Sequence, residues 1–166
     1  MDSAGIFRIR PYRDSDRATA AALINALQEA ECAMEANRAQ WADGGRAYTD
    51  WTLAEVAANE GIVIFAEAED GAVIGLMSCW RATDETDITV VPEARTHLYV
   101  SDLVVLAEWR GRGVAGVLLA EAESHGRRLG LTQMTIGVLA ANEAARRAYD
   151  KAGFEGYEML LRKRLS

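Results

Sequence analysis

The chain has 166 residues, 50% hydrophobic and 26% charged, with a formal net charge of −7. That is one domain's length, enough to bury roughly 70% of the unfolded surface. The acidic balance argues against general nucleic-acid binding, which draws on clustered basic charge, and it tolerates a cationic amine without demonstrating one. Cys32 and Cys79 show no C-x-x-C spacing and read as free thiols of a reducing compartment. His97 and His125 are too sparse for a zinc site, so no metal is expected. The opening MDSAGIFRIR lacks a signal-peptide core, and no apolar run approaches the ~18 residues of a membrane span, so a cytoplasmic protein is expected.

Residues 7–10 (FRIR) alternate and stop at Pro11, the pattern of a short strand. Asp14, Ser15 and Asp16 offer caps for a helix over 17–37, whose Leu23, Ile24, Leu27 and Met34 carry helical spacing. Residues 38–50, with Gly44 and Gly45, read as a loop, and 51–59 as a helix capped by Thr52. Two β-rich runs, 61–69 and 72–80, are joined by Asp70-Gly71, a strong hairpin signal. A polar loop over 82–94 leads to a long strand over 96–106. A glycine-rich turn then opens a helix over 114–129, closed by Gly130. A strand over 132–139, a helix over 142–152 with Gly153 at its end, and a final strand over 154–165 follow. The order β-α-α-β-β-β-α-β-α-β predicts a mixed α/β (α+β) fold in one domain, 1–166.

The stretch EWRGRGVAGVLL, residues 108–119, carries the functional signal. Gly111, Gly113 and Gly116 fall at G-x-G-x-x-G spacing between a strand and a helix. Such a turn aims main-chain N–H groups and the positive end of a helix at an anion, and Arg110 and Arg112 add forked donors. A tight turn that needs glycine only for packing is the competing reading. A P-loop requires Lys and a hydroxyl after its last glycine, where Val117 and Leu118 stand. A Rossmann site requires an acidic residue at the end of the next strand, where Gly137, Val138 and Leu139 are neutral.

Arg110, Gly113 and Ala115 also form R-x-x-G-x-A after the strand residues SDLVV, 101–105. Asn142, Tyr149, Gly153 and Phe154 form a later N…Y…GF pattern. With these motifs the chain resembles the GNAT superfamily of acyl-CoA N-acyltransferases from its first strand onward, although 38–60 and 82–94 match no family feature. The resemblance implies a GNAT-like domain with a mixed sheet of about six to seven strands, helices on both faces and a splayed strand pair holding acetyl-CoA as cosubstrate. It implies backbone contacts to the pantetheine arm from Leu103, Val104 and Val105, with the Val105 N–H toward the thioester carbonyl. The pyrophosphate is expected on the main chain of Arg110, Gly111, Arg112, Gly113, Val114 and Ala115, and Asn142 beside the pantetheine.

Tyr149 stands where the family places a tyrosine that protonates the departing sulfur. A phenol with pKa near 10 keeps its proton at neutral pH; packing of the last helix is the alternative role. Asp102 is a candidate base, directly or through a water, or a binder of a cationic substrate, or a structural acid of the strand. Some family members carry Glu one position earlier, where this chain has Ser101. Asp84, Glu85 and Asp87 guide an amine or form a solvated loop, and Trp41, Tyr48 and Trp51 form an acceptor wall or pack helices. The resemblance thus implies an acetyl-CoA-dependent N-acetyltransferase working by direct transfer in a ternary complex. Its expected acceptor is the primary amine of a small molecule. A peptide or protein N-acetyltransferase, and a coenzyme A-binding sensor without turnover, are the alternatives. No nucleic-acid or membrane partner is expected, and the family's frequent homodimers extend that expectation to this chain.

Overall fold

The computed structural model describes residues 6–165. Residues 1–5, part of the stretch read for a leader, lie outside the described residues. Strands β1 (Phe7–Pro11), β2 (Ile62–Ala68), β3 (Val73–Thr83), β4 (Thr96–Val105) and β5 (Met134–Ile136) form one sheet in that spatial order. Neighbours from β1 to β4 are antiparallel, and β5 joins β4 in parallel. Four helices complete the described residues: α1 (Arg17–Met34), α2 (Arg46–Ala58), α3 (Val114–Arg128) and α4 (Glu143–Lys151).

Alternation along the strands builds two cores, one on each face of the sheet. On one face Ile64, Ala66, Met77, Cys79, Leu98 and Val100 meet Val114, Leu118 and Ala122 of α3. On the other, Val63, Phe65, Leu76 and Val104 meet Ala20, Leu23 and Ile24 of α1 and Tyr48, Leu53 and Val56 of α2. Helices therefore cover both faces, as expected. A Cβ on Gly126 would come within 3.3 Å of Leu98 Cδ2, so this glycine lets α3 lie close against β4.

The register of β3 against β4 slips by one residue. Ser78 faces Asp102 while Cys79 faces Val100, so Ser101 is an extra residue in β4. This β-bulge inverts the phase of the strand. Leu98 and Val100 point toward α3 before it, and Leu103 and Val105 do so after it, which turns Val104 to the α1 and α2 face.

The Asp70-Gly71 hairpin forms as expected, with Gly71 at φ 84° and the Ala68 N–H donating to the Ala72 carbonyl at 2.9 Å. Other boundaries move. Helix α1 stops at Met34 rather than 37, because Glu35 turns extended. Helix α2 begins at Arg46, inside the expected loop. The Asp43 carboxylate accepts from the Gly45 and Ala47 N–H groups at 3.0 and 2.7 Å, and Gly45 takes φ 81° to start the helix. Thr52, expected as the cap, is buried within that helix.

The strand expected over 132–139 keeps only Met134–Ile136, and the one expected over 154–165 does not form. The described residues thus hold a sheet of five strands rather than six to seven. A strand exists by closing a ladder with a neighbour, and in this chain 154–165 pairs with none.

Candidate active site

The bulge at Ser101 coincides with the end of the β4–β5 ladder. Leu98, Tyr99 and Val100 pair with Met134, Thr135 and Ile136, and beyond them the two strands no longer pair. A cleft occupies the fork. Ser101 and Leu103 of β4 form one wall, residues 136–139 the other, and Leu27 and Glu31 of α1 with Asn142, Ala145 and Tyr149 of α4 close it. Three residues picked from two separate stretches, Leu103 from the strand and Asn142 and Tyr149 from the later motif, therefore meet in one place.

Tyr149 packs its ring at 5.8 Å from that of Phe154. Burial, reinforced by the charge of Glu31, pushes its hydroxyl up to about 12, so the phenol is a proton donor throughout the neutral range. Asn142 caps α4: its Oδ1 accepts from the Ala145 N–H at 3.0 Å, which leaves the two amide N–H groups as its donors. Val104, by contrast, is buried on the far face, so only its main chain can serve a ligand in the cleft.

The glycine-rich turn continues from β4 and is tied to it, since Arg110 Nε donates to the Val105 carbonyl at 3.1 Å. Arg112 lies over the Trp109 ring with its guanidinium carbon 5.0 Å from the centroid. Gly111 and Gly113 hold φ 77° and 85°, conformations that disfavour any side chain. A Cβ at either, or at Gly116, would meet nothing within 4 Å. Packing therefore does not explain these glycines. The first turn of α3 has no side-chain cap, and its N–H groups have no partner within the helix. Bare backbone donors, open space above them and two neighbouring arginines suit a diphosphate.

Asp102 is 3% exposed and does not line the cleft. Ser78 Oγ donates to its Oδ2 at 2.6 Å. Burial pushes its carboxyl above the ordinary carboxylate range, while the hydroxyls of Ser78, Ser101 and Tyr48 pull it part of the way back. The Tyr48 and Ser101 hydroxyls lie 3.3 Å apart, so a chain of polar groups connects the buried carboxylate to Ser101 on the cleft wall. Tyr48 is itself pushed up to about 12, by burial first and the Asp102 charge second.

Trp41, Tyr48, Trp51, Trp80 and Tyr99 form a continuous aromatic run, with successive centroids 4.8, 5.3, 5.8 and 5.4 Å apart. The run packs α2 on the sheet and touches the cleft wall through the Tyr48–Ser101 contact. Neither histidine nor the acidic loop lines the cleft. His97 pairs opposite Ala82 on β4, and His125 Nε2 contacts the Glu60 carbonyl at 2.7 Å. Asp84 and Asp87 are committed to local turns with Thr86 and Thr89, and Glu85 is exposed in the same loop.

Glu31 is the cleft residue that the motifs did not single out. It follows Leu23, Ile24 and Leu27 at helical spacing, and a carboxylate on an otherwise apolar stripe was the available signal. It pairs with Arg38 Nε at 3.2 Å, and its charge raises the pKa of Tyr149, Tyr99 and Asp102. Among the described residues no cluster of His, Cys, Asp or Glu could hold a metal ion.

The family model for the Acetyltransferase (GNAT) family matches residues 22–154, a span that includes the whole cleft and the glycine-rich turn. The chain belongs to the GNAT family of acetyltransferases. A curated relative of this GNAT protein, the uncharacterized N-acetyltransferase YycN of Bacillus subtilis (strain 168), is 28% identical over 67 residues, 40% of this chain and 43% of the relative. Among solved structures, a tetramutant of the BH1408 protein from Bacillus halodurans superposes with TM-score 0.83 at 20% identity, covering 95% of this chain and 99% of that one. AAC(6')-Iy, solved with the bisubstrate analog CoA-S-monomethyl-acetylneamine, gives TM-score 0.73 at 20% identity, over 97% and 99%. The aminoglycoside antibiotic 6'-N-acetyltransferase AAC(6')-IG from Acinetobacter haemolyticus gives 0.69 at 16%, over 96% and 98%. At these identities the structural likeness speaks to the fold.

Proposed function

We propose that this GNAT protein is an acetyl-CoA-dependent N-acetyltransferase acting on the primary amine of a small molecule, by direct transfer in a ternary complex. The observation that carries the reading is the pairing of a forked β4–β5 edge with an uncapped, glycine-opened helix start at the end of the same strand. The diphosphate would rest on the main chain from Arg110 to Ala115. The pantetheine arm would lie along the free backbone of Leu103, Val104 and Val105, with the Asn142 amide as a donor to it. The thioester would then face Tyr149 across the cleft.

Transfer forms a C–N bond between a neutral amine and the acetyl carbon and breaks the C–S bond. Tyr149 would give its proton to the departing sulfur and recover one from solvent. The proton lost by the amine would pass through Ser101 and Tyr48 toward Asp102, whose raised pKa makes it a better acceptor than an ordinary carboxylate. Glu31, at the cleft, favours an acceptor that arrives as a cation, in keeping with the acidic chain. The AAC(6') neighbours, named for aminoglycoside acceptors, support a small polar amine. Two unbridged cysteines suit the cytoplasm, and among the described residues no helix is long and apolar enough to cross a membrane.

The test is release of free thiol from acetyl-CoA against a panel of amines: aminoglycosides, polyamines, amino-acid amides and short peptides. Amine-dependent release with a small-molecule acceptor is expected. Coenzyme A binding by calorimetry with no release across the panel would replace the enzyme with a coenzyme A sensor.

A further inference from the structure

We infer that the acceptor carries a second ammonium group, which keeps its proton through the transfer and rests on the Glu31 carboxylate in place of Arg38. The inference deepens the proposed acetyl transfer to a small amine and rests on that reading. The acceptor class narrows to diamines, polyamines and polyamino sugars.

Glu31 is the one charged side chain among the described residues that line the cleft. It lies one helical turn after Leu27 on the same wall, and its side chain is 26% exposed. The wall opposite, residues 136–139, carries no charge. A carboxylate so placed is poorly screened by water. Its field reaches Tyr149, Tyr99 and Asp102, and pushes each further up after burial has raised it.

That field opposes the chemistry proposed for the cleft. Attack on a thioester gathers negative charge on the carbonyl oxygen and then on the sulfur. An unneutralised carboxylate nearby makes both costlier. It also tightens the hold of Tyr149 on its proton, which weakens the phenol as a donor to the sulfur. A fixed anion beside such a reaction needs a cation when the C–N bond forms.

The chain's own cation is loosely held. Arg38 follows α1 on a turn closed by its N–H on the Glu35 carbonyl at 3.1 Å. Gln28 Nε2 ties that turn to the helix by donating to the Ala39 carbonyl at 2.6 Å. Arg38 Nε approaches Glu31 Oε2 at 3.2 Å, and the arginine side chain is 43% exposed. A pair this open to water contributes little and exchanges readily. Arg38 does not line the cleft, whereas an ammonium of the acceptor reaches the carboxylate from within it and brings three donors. Glu31 is then the specificity-determining residue. Arg38 is a positioning residue that holds the carboxylate until the acceptor takes its place.

The probes are diaminobutane and spermidine, each against aminobutanol, in which a hydroxyl replaces the second ammonium. Binding is read by calorimetry with coenzyme A present, and transfer by thiol release from acetyl-CoA. In the parent, both affinity and kcat/KM should favour the two polycations at least ~10-fold. Glu31→Gln should shrink that preference to about threefold or less, with coenzyme A affinity unchanged. Arg38→Ala should split the acceptors. KM for diaminobutane should fall because its competitor is gone, and kcat for aminobutanol should fall because nothing then neutralises Glu31. A merely structural role for Arg38 would move both acceptors alike. Selective binding of the polycations that Glu31→Gln abolishes, without transfer to any amine, would support the cation site and defeat the transfer reading. A parent that does not distinguish the probes, a preference that survives Glu31→Gln, or a higher diaminobutane KM in Arg38→Ala would each overturn the inference.

Discussion

Replacing Tyr149 with Phe removes one oxygen and keeps the ring. The ring's contact with Phe154, at 5.8 Å between centroids, survives, so folding stability should change by no more than about 1 kcal/mol. The catalytic effect should be far larger. Burial, with Glu31 adding to it, raises the hydroxyl to about 12, so near pH 7.5 the phenol keeps its proton. The proton is in place whenever the sulfur departs, and the activity profile between about pH 6 and 9 owes no slope to Tyr149. Removing a general acid costs ~10²–10⁴-fold, about 3–5 kcal/mol of barrier. A thiol with pKa near 8.5 is a fair leaving group, which points to the lower end, roughly 100-fold. The assay is steady-state thiol release at saturating acetyl-CoA and amine, with calorimetry of coenzyme A binding alongside. We expect kcat to fall roughly 100-fold with Kd unchanged within about twofold. A kcat within about threefold of the parent would show that the sulfur leaves unassisted and would reduce Tyr149 to a packing residue.

Gly113→Val forces a branched side chain onto φ 85°, at a cost of about 1–2 kcal/mol or more, and tilts the first N–H groups of α3. Coenzyme A affinity should drop at least ~10-fold by calorimetry, and undiminished affinity would remove the phosphate cradle from this turn. Asp102→Asn tests the proton route. In the parent, kcat/KM should climb as pH rises through the elevated Asp102 pKa, because ionised Asp102 can accept the amine proton. The variant should lose that limb, and an identical limb in it would assign the titration to another group. Stability should also depend on alkaline pH. Burial raises Tyr48, Tyr149 and Cys79 to about 12, whereas the unfolded chain releases the same protons near 8.5 for the thiol and 10 for the phenols. Their contribution is complete below about pH 8.5 and is lost as pH rises toward 12. Thermal melts should show Tm falling steadily from about pH 9 to 11, and a flat Tm across that range would contradict these buried groups.

The parts of this fold that were legible beforehand are those decided locally. Asp70-Gly71 makes its hairpin from turn chemistry alone, and Gly130 and Gly153 end their helices at φ 72° and 89°. The Asn142 to Tyr149 spacing pointed to the cleft because both residues belong to one short helix, Asn142 as its cap, and the glycine-rich turn was legible from its own backbone chemistry. What escaped depends on groups distant in sequence. The start of α2 is set by Asp43, three residues ahead of the helix, which competes with a loop reading of Gly44-Gly45. The burial of Asp102 depends on Ser78, 24 residues away. Glu31 becomes a cleft residue only when α1 is laid across the fork. The strand over 154–165 has strand chemistry but no ladder in its own chain, and propensity without a partner does not make a strand.

One extra residue in β4 ties these features together. Without Ser101 as a bulge, strict alternation would put Asp102 on the α3 face with Leu98 and Val100, in an all-apolar core where no hydroxyl could partner it. Leu103 and Val105 would turn away from the α3-side core they now pack against. With the bulge, Asp102 reaches Ser78 and the Tyr48–Ser101 pair, Leu103 faces the fork, and β4 bends where its pairing with β5 stops. The same residue thus lies where the parallel ladder ends, leaves the following β4 backbone unpaired on that side, and links the cleft wall to the buried acid through its hydroxyl. A serine is suited to that place. It is small enough for the kink, and its hydroxyl both donates and accepts, whereas a glutamate there would put a charge directly on the cleft wall.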